Sequence, residues 1–132
     1  MHLHLENHYA EIILLLFLII VFLQSGVDKI KDWKGNLSWL TSHFAQSPFK
    51  NSVPILLGII TFFEMIAGLS SLIGLVHLVV FNHPDFAFYG ALTSAITLLM
   101  LLFGQRLAKD YEGAKTIVIY LVPTVFLLFL LQ

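Results

Sequence analysis

Residues 53–79 read VPILLGIITFFEMIAGLSSLIGLVHLV, an apolar run in which Glu64 is the only charged residue. A helix needs about 20 mainly apolar residues to cross a hydrocarbon core about 30 Å thick. Residues 53–79 are therefore long enough to form a membrane-spanning helix. Within that helix Glu64 would lie about 16 Å from the start, at a rise of about 1.5 Å per residue, and hence near the centre of the bilayer.

Three other runs of the same kind lie at about residues 9–27, 86–105 and 116–131. Hydrophobic residues make up 58% of the 132-residue chain and charged residues 11%, whereas a soluble domain carries about 25% charged residues. Backbone polar groups in lipid need internal partners, which helices supply, and strand alternation is absent. The sequence thus predicts an all-α membrane protein, with a four-transmembrane-helix bundle as a single integral membrane domain over residues 1–132.

The basic residues predict the orientation of the spans. All seven lie in the segments after the first and third spans: Lys29, Lys31, Lys34, Lys50, Arg106, Lys109 and Lys115. With four spans these segments face one side, which the positive-inside rule assigns to the cytoplasm. Both termini are then expected on the periplasmic or extracellular side. The residues before the first span lack Lys and Arg, and no A-x-A site follows it, so we expect a retained span rather than a cleaved signal peptide.

The segment between the first two spans contains the stretch NLSWLTSHFAQ at residues 36–46. Asn36 is a suitable N-cap for a short helix with one apolar face. The two tryptophans of the chain, Trp33 and Trp39, lie here, and tryptophan is enriched at the headgroup level of membranes. We therefore predict a short interfacial helix in the first cytoplasmic loop. The alternative is a helix that docks a partner protein.

The first and third spans end in similar sequences. Residues 26–35 read GVDKIKDWKG and residues 104–113 read GQRLAKDYEG, so both fit the pattern G-x4-K-D-[WY]-x-G. Both segments leave the membrane on the same side, as expected for a duplicated two-helix unit in parallel orientation. The sequence therefore predicts an internal duplication. The alternative is that both are simply helix ends that meet water, with lysines placed favourably at helix C-termini.

Small residues in the second and third spans predict close helix packing, because spacings of four residues let membrane helices approach each other. The fourth span lacks such residues, and more of its surface is expected to face lipid. The small residues are Gly58, Ala67, Gly68, Ser71 and Gly74 in the second span and Ala87, Gly90, Ala91, Ser94 and Ala95 in the third.

Glu64 is the strongest candidate for a functional residue. An ionised carboxylate at the bilayer centre costs about 2.5–3.5 kcal/mol on insertion scales, and intramembrane acids are functional candidates by default. The expected partners at its depth are Thr61, one turn away, and the hydroxyl residues Thr93, Ser94 and Thr97 of the third span. Two interpretations stay open: a protonated glutamate in a structural hydrogen bond between helices, or a functional acid.

A second candidate site is an inner polar cluster at the cytoplasmic mouth of the bundle, where polar residues of the first and third spans lie at matching depth. Such a cluster could hold an anionic or quinone-like headgroup. The alternative is a solvated set of helix ends with local ion pairs. The cluster comprises Gln24, Asp28, Lys29, Gln105, Arg106, Lys109, Asp110 and Tyr111.

Several classes of chemistry are excluded or disfavoured by the sequence. The chain has no cysteine, so it offers no disulfide, thiolate metal site or thiol redox chemistry. His2, His4 and His8 form an N-terminal cluster, but no carboxylate or thiol framework fixes a geometry, and no metal site is predicted. His77 is the only histidine within a span, which leaves paired haem ligation unsupported. There is no basic stripe for nucleic acid and no nucleotide-binding or hydrolase motif, so any redox role needs an organic cofactor or a partner.

Three segments together resemble the DoxX and DoxX-like family of small bacterial membrane proteins. They are LQSGVDKIKDW at the end of the first span, FFEMIAGLSSLIGL around Glu64, and FGQRLAKDYEGA at the end of the third span. The resemblance covers nearly the whole chain and implies a four-helix protein of the bacterial inner (cytoplasmic) membrane. Relatives are named for a subunit associated with thiosulfate:quinone oxidoreductase or linked to membrane oxidoreductase complexes in oxidative-stress defence. The matching positions are Glu64, Lys29, Arg106, Lys109 and Asp110.

The resemblance implies a small subunit or partner of a quinone-linked membrane redox assembly, without intrinsic catalysis. Its partners would be the lipid bilayer and other membrane subunits or further copies of the chain, with quinone as the one cofactor class and none strictly required. Two alternatives remain. One is a purely structural accessory subunit, for which Glu64→Gln would change no activity. The other is a small transporter or proton path, for which Glu64→Ala would abolish flux.

Overall fold

A computed structural model describes residues 3–132 of the chain, and within that range every regular element is a helix. The helices are α1 (Tyr9–Lys31), α2 (Trp33–His43), α3 (Val53–Phe81), α4 (Asp85–Leu107) and α5 (Tyr111–Leu131). All except α2 are long and apolar enough to cross a membrane. The prediction of an all-α chain with four candidate spans is confirmed. The helices exceed the predicted apolar runs, most clearly at the end of α1 and the start of α5, because helical backbone continues into the polar flanking residues.

The four long helices alternate in direction, with α2 and its flanking loops in the long connection between α1 and α3 and three residues in each of the other two connections. α3 packs most extensively, against α1 on one side and α4 on the other, while α5 packs against α4 and more lightly against α1. The ring α1–α3–α4–α5 therefore closes into a four-helix bundle. All seven basic residues lie at the end of the bundle where α1 and α4 finish and α3 and α5 begin. We call this the basic end.

Small residues let α3 and α4 lie almost in backbone contact. A Cβ atom added to Gly74 would lie 2.5 Å from the Cα of Ala87, and one added to Gly90 would lie 3.0 Å from the Cα of Ser71. All the small residues predicted to pack are buried except Gly58, which is half-buried. α5 buries only three residues, in agreement with the prediction that it is the helix most exposed on its outer surface.

Both copies of the repeated sequence pattern cap a helix in the same way. The Asp32 carboxylate accepts a hydrogen bond from the Gly35 N–H at 3.2 Å, at the start of α2. The Asp110 carboxylate accepts one from the Gly113 N–H at 2.9 Å, at the start of α5. A side chain on either glycine would collide with the capping carboxylate. The predicted N-cap at Asn36 is wrong, because α2 begins at Trp33 and its N-cap is Asp32, four residues before Asn36.

α1 ends before it reaches the level at which α3 begins. Gly26 lies against Met65 and Leu23 lies against Gly68, so in this antiparallel pair the last residue of α1 lies beside about Ile60. The first seven or so residues of α3, about 10 Å of helix, thus have no α1 beside them. α4 continues to the start of α3, and α2 with its following loop occupies the space beyond α1.

Candidate functional site

Glu64 and Lys29 form a buried ion pair within the bundle. The Lys29 Nζ lies 2.9 Å from Glu64 Oε1, and Glu64 is only 2% exposed. The same ammonium group donates a hydrogen bond to Ser25 Oγ at 2.7 Å. Glu64 Oε1 accepts no hydrogen bond of regular geometry from any described residue, so the contact with Lys29 is mainly an attraction between charges. The pair connects the end of α1 to the middle of α3.

Three of the four hydroxyl partners expected for Glu64 bond elsewhere. Thr61 donates to the Leu57 carbonyl at 2.7 Å, and Ser94 donates to the Gly90 carbonyl at 2.7 Å. Thr97 likewise donates to a carbonyl four residues earlier in its own helix, at 2.8 Å. In an apolar bundle a serine or threonine hydroxyl is readily satisfied by its own backbone. These three hydroxyls therefore bond within their own helices, and the Glu64 carboxylate is paired with Lys29 instead.

A cavity of about 260 Å³ lies beside this ion pair at the basic end. It occupies the space left where α1 stops, and it is enclosed by α2, the loop after α2, the first turns of α3 and the last turns of α4. Its walls are mostly apolar and include Trp39, Phe44, Phe49, Leu57 and Met100. A liquid water molecule takes about 30 Å³, so the cavity could accommodate a ring-sized organic group.

Four polar side chains reach this cavity from three helices. They are Lys29 from α1, Asn36 and His43 from α2, and Gln105 from α4. The His43 Nε2 lies 2.8 Å from Gln105 Oε1 and 3.6 Å from Asp110 Oδ2. Since the oxygens are acceptors, the nitrogen that faces them is assigned as the N–H donor. A face of the histidine ring stacks on Trp39, with ring centroids 4.6 Å apart.

The structure brings together only part of the predicted inner polar cluster. Lys29 and Gln105 line the cavity, and Asp110 lies behind Gln105 next to His43. Arg106 and Tyr111 contact each other instead, with the guanidinium carbon 5.0 Å from the ring centroid, and both are exposed. The remaining members, Gln24, Asp28 and Lys109, are exposed as well.

Sequence reasoning missed two polar residues of the cavity, Asn36 and His43. Both belong to α2 and lie seven residues apart, with Trp39 and Leu40 between them at helical spacing. All four therefore share one face of the helix, and all four line the cavity. Two polar side chains on the apolar face of a short helix were the signal that could have indicated them.

At the other end of the bundle, the described histidines have polar neighbours but are not grouped with other possible metal ligands. His8 contacts Glu11 Oε2 at 3.1 Å and Asn82 Oδ1 at 2.9 Å. Among residues 3–132 no three His, Asp or Glu side chains are grouped closely enough to hold a metal ion. His2, the first member of the predicted N-terminal cluster, lies outside the described residues.

Comparison with known proteins adds no family assignment. No protein-family model, curated protein or solved structure matches this chain. The chemistry of the site therefore has to be inferred from its own geometry. At the edge of an apolar cavity, that geometry combines an imidazole, two amides and an ammonium group that is paired with a buried carboxylate.

Proposed function

We propose that the chain is a small DoxX-like subunit of a quinone-linked membrane redox assembly, and that the cavity at the basic end holds the quinone headgroup. The observation that carries this proposal is the combination of apolar walls with hydrogen-bond donors in one small cavity. Ligand sites of lipid-soluble molecules are mostly apolar with a few placed polar groups. A quinone has a flat ring, two carbonyl acceptors and an apolar tail, and it meets each of these features.

Lys29 is the group best suited to bind a quinone carbonyl. An ammonium has three N–H donors, of which Ser25 accepts one, and Glu64 lies at ion-pair distance. Because Lys29 also lines the cavity, the third donor would be available to a ligand there. In this proposal Glu64 is a positioning residue, because it holds the charged end of Lys29 in place without lining the cavity itself. The apolar tail would leave past Trp39 and Ile59, the exposed members of the cavity wall.

The proposal is tested by quinone binding to the purified chain in lipid nanodiscs. Trp33→Phe leaves Trp39, in the cavity wall, as the only tryptophan. Titration with short-tailed benzoquinone and naphthoquinone should quench its fluorescence in a saturable way. Loss of the Lys29 donor should weaken binding about tenfold or more, because hydrogen bonds to charged groups contribute about 1.5–3 kcal/mol.

The variant for this comparison is Lys29→Met combined with Glu64→Gln, which removes the donor without leaving a carboxylate unpaired. Lys31→Met is the matched control, because Lys31 is exposed and lies outside the cavity wall. Quenching that rises linearly with quinone, or that is equal in all three proteins, would contradict the proposal.

We also propose that the bundle arose by duplication of a two-helix unit. The support is that the two copies of the repeated pattern perform the same local task, with an aspartate capping the next helix through a glycine N–H. In this interpretation the first turn of α2 corresponds to the first turn of α5, and the rest of α2 with its following loop is an insertion in the first unit. Its two-tryptophan sequence and its lack of buried residues favour a position at the membrane interface.

For localisation we propose a bacterial inner membrane with the basic end in the cytoplasm. The clustering of all basic residues at one end of the bundle supports this orientation. Other membrane subunits or further copies of the chain are the proposed partners, since the long helices expose large apolar surfaces. Protease protection of a tag on either terminus in inverted vesicles would test it, and cleavage of both tags there would contradict it.

A further inference from the structure

Helix α2 is attached to the rest of the protein more weakly than any other helix. It buries none of its residues, whereas α1, α3, α4 and α5 each bury several. Segments with little buried apolar surface open at low free-energy cost. Its N-terminal end is joined directly to α1 through Asp32, which ends α1 and caps α2. This end is therefore the natural hinge.

One side of α2 forms the cover of the cavity. Asn36, Trp39, Leu40 and His43 lie on one helix face and all contribute to the cavity wall. No Cα atom of α2 lies within 8 Å of a Cα atom of α4. The two helices are thus separated by the cavity, and only long side chains reach across it.

A single side-chain hydrogen bond crosses from α2 to the spanning helices. Within residues 3–132 the other side-chain hydrogen bonds of α2 are local, and the crossing bond is the one between His43 Nε2 and Gln105 Oε1, at 2.8 Å. Asp110 Oδ2, at 3.6 Å from the same nitrogen, adds a carboxylate beside it. This bond lies at the C-terminal end of α2, opposite the hinge.

We propose that α2 is a lid over the cavity, hinged at Asp32 and latched by the His43–Gln105 hydrogen bond. The lid would admit a lipid-soluble ligand when the latch is broken and hold it when the latch forms. The role as a gate for quinone depends on the proposed function. The movement itself does not depend on it, and it can be measured without any quinone.

Thiol labelling measures the movement, because the chain has no cysteine of its own. Met100→Cys places one thiol in the cavity wall, and Lys115→Cys places one on the exposed surface of the basic end as the control. A water-soluble maleimide is added to each variant in nanodiscs. Adding His43→Phe, which keeps a ring on Trp39 but removes the latch, should speed labelling of the cavity thiol about two- to tenfold. The control thiol should label at an unchanged rate.

A metal bridge between α2 and α4 tests whether holding the lid closed slows labelling. Gln105→His places a second imidazole opposite His43, with the Asp110 carboxylate beside both. Zinc binds imidazole nitrogens at about 2.0–2.1 Å, so it can span groups that now lie 2.8 Å and 3.6 Å apart. Zinc at 100 times its dissociation constant should slow labelling of the cavity thiol about 100-fold, and a chelator should restore the rate. The chain with native Gln105 should not respond.

Two results would overturn the lid. One is an unchanged labelling rate of the cavity thiol in the Gln105→His variant under saturating zinc, or failure of that variant to bind zinc. The other is a His43→Phe variant that labels at the native rate. A chain that binds no quinone can still pass both tests, and a chain that fails both can still bind quinone, so this proposal and the proposed function fail separately.

Discussion

Removing the Lys29 charge should destabilise the bundle more than removing any other basic side chain at the basic end. Lys29→Met keeps the length and apolar volume of the side chain but leaves the Glu64 carboxylate, 2% exposed, without its counter-charge. Breaking a buried ion pair by removing one partner costs about 3–5 kcal/mol. Unfolding by sodium dodecyl sulfate in mixed micelles, followed by far-ultraviolet circular dichroism, measures the loss.

The reciprocal change should cost less. In Glu64→Gln the unpaired partner is Lys29, whose side chain is 17% exposed and whose long stem lets the ammonium move toward water. The double variant restores electroneutrality and should lose clearly less than the sum of the single losses, with a coupling free energy of about 0.5–3 kcal/mol. Lys31→Met in place of Lys29→Met gives the control cycle, in which no coupling is expected.

The reasoning is refuted if the two single losses add within about 0.5 kcal/mol, since residues that do not interact behave additively. It is also refuted if Glu64→Gln destabilises more than Lys29→Met. That order would mean that the lysine, not the glutamate, is the deeply buried charge.

Three further predictions concern the packing, the caps and the orientation of the chain. Gly74→Ala should destabilise the protein by about 1–3 kcal/mol because its new methyl group meets the backbone of Ala87. Gly58→Ala should stabilise it by about 0.5–1 kcal/mol, because its methyl group meets only a tryptophan ring atom at 3.9 Å. Equal effects in the same unfolding assay would contradict the close helix approach. Asp110→Ala should cost about 0.5–2 kcal/mol and Asp110→Asn close to nothing, because asparagine caps as well as aspartate; a large loss for asparagine would show that the charge matters more than the cap. Tags at both termini should be accessible from outside intact spheroplasts, and access only after lysis would reverse the orientation.

The spans and their packing faces could be predicted from the sequence because each depends on local composition. A run of about 20 apolar residues predicts a span by its length alone, and small residues at helical spacing indicate the face along which helices approach. The wrong prediction of Asn36 instead of Asp32 as the N-cap of α2 also concerns a local feature of the sequence. The repeated pattern contains the correct signal, because Asp32 and Asp110 occupy equivalent positions in it and Asp110 caps α5.

The Lys29–Glu64 pair could not be predicted, because it depends on how α1 is offset along α3. Sequence depth places Glu64 near the bilayer centre and Lys29 at the mouth of the bundle, too far apart to meet. The offset is set by contacts between helices, with Gly26 against Met65 and Leu23 against Gly68. No residue within α1 alone reports that contact.

One structural cause accounts for both the ion pair and the cavity. α1 ends about seven residues before the level at which α3 begins, so its last turn lies near the depth of Glu64. Lys29 in that turn can therefore reach the Glu64 carboxylate. The same early end leaves the first turns of α3 and the last turns of α4 without α1 beside them, and the apolar faces there are covered instead by α2 and the loop that follows it. A longer α1 would fill this space with helix and carry Lys29 to another depth. The buried acid and the polar mouth, which the sequence presents as separate features, are therefore two sides of one site created by the position at which α1 ends.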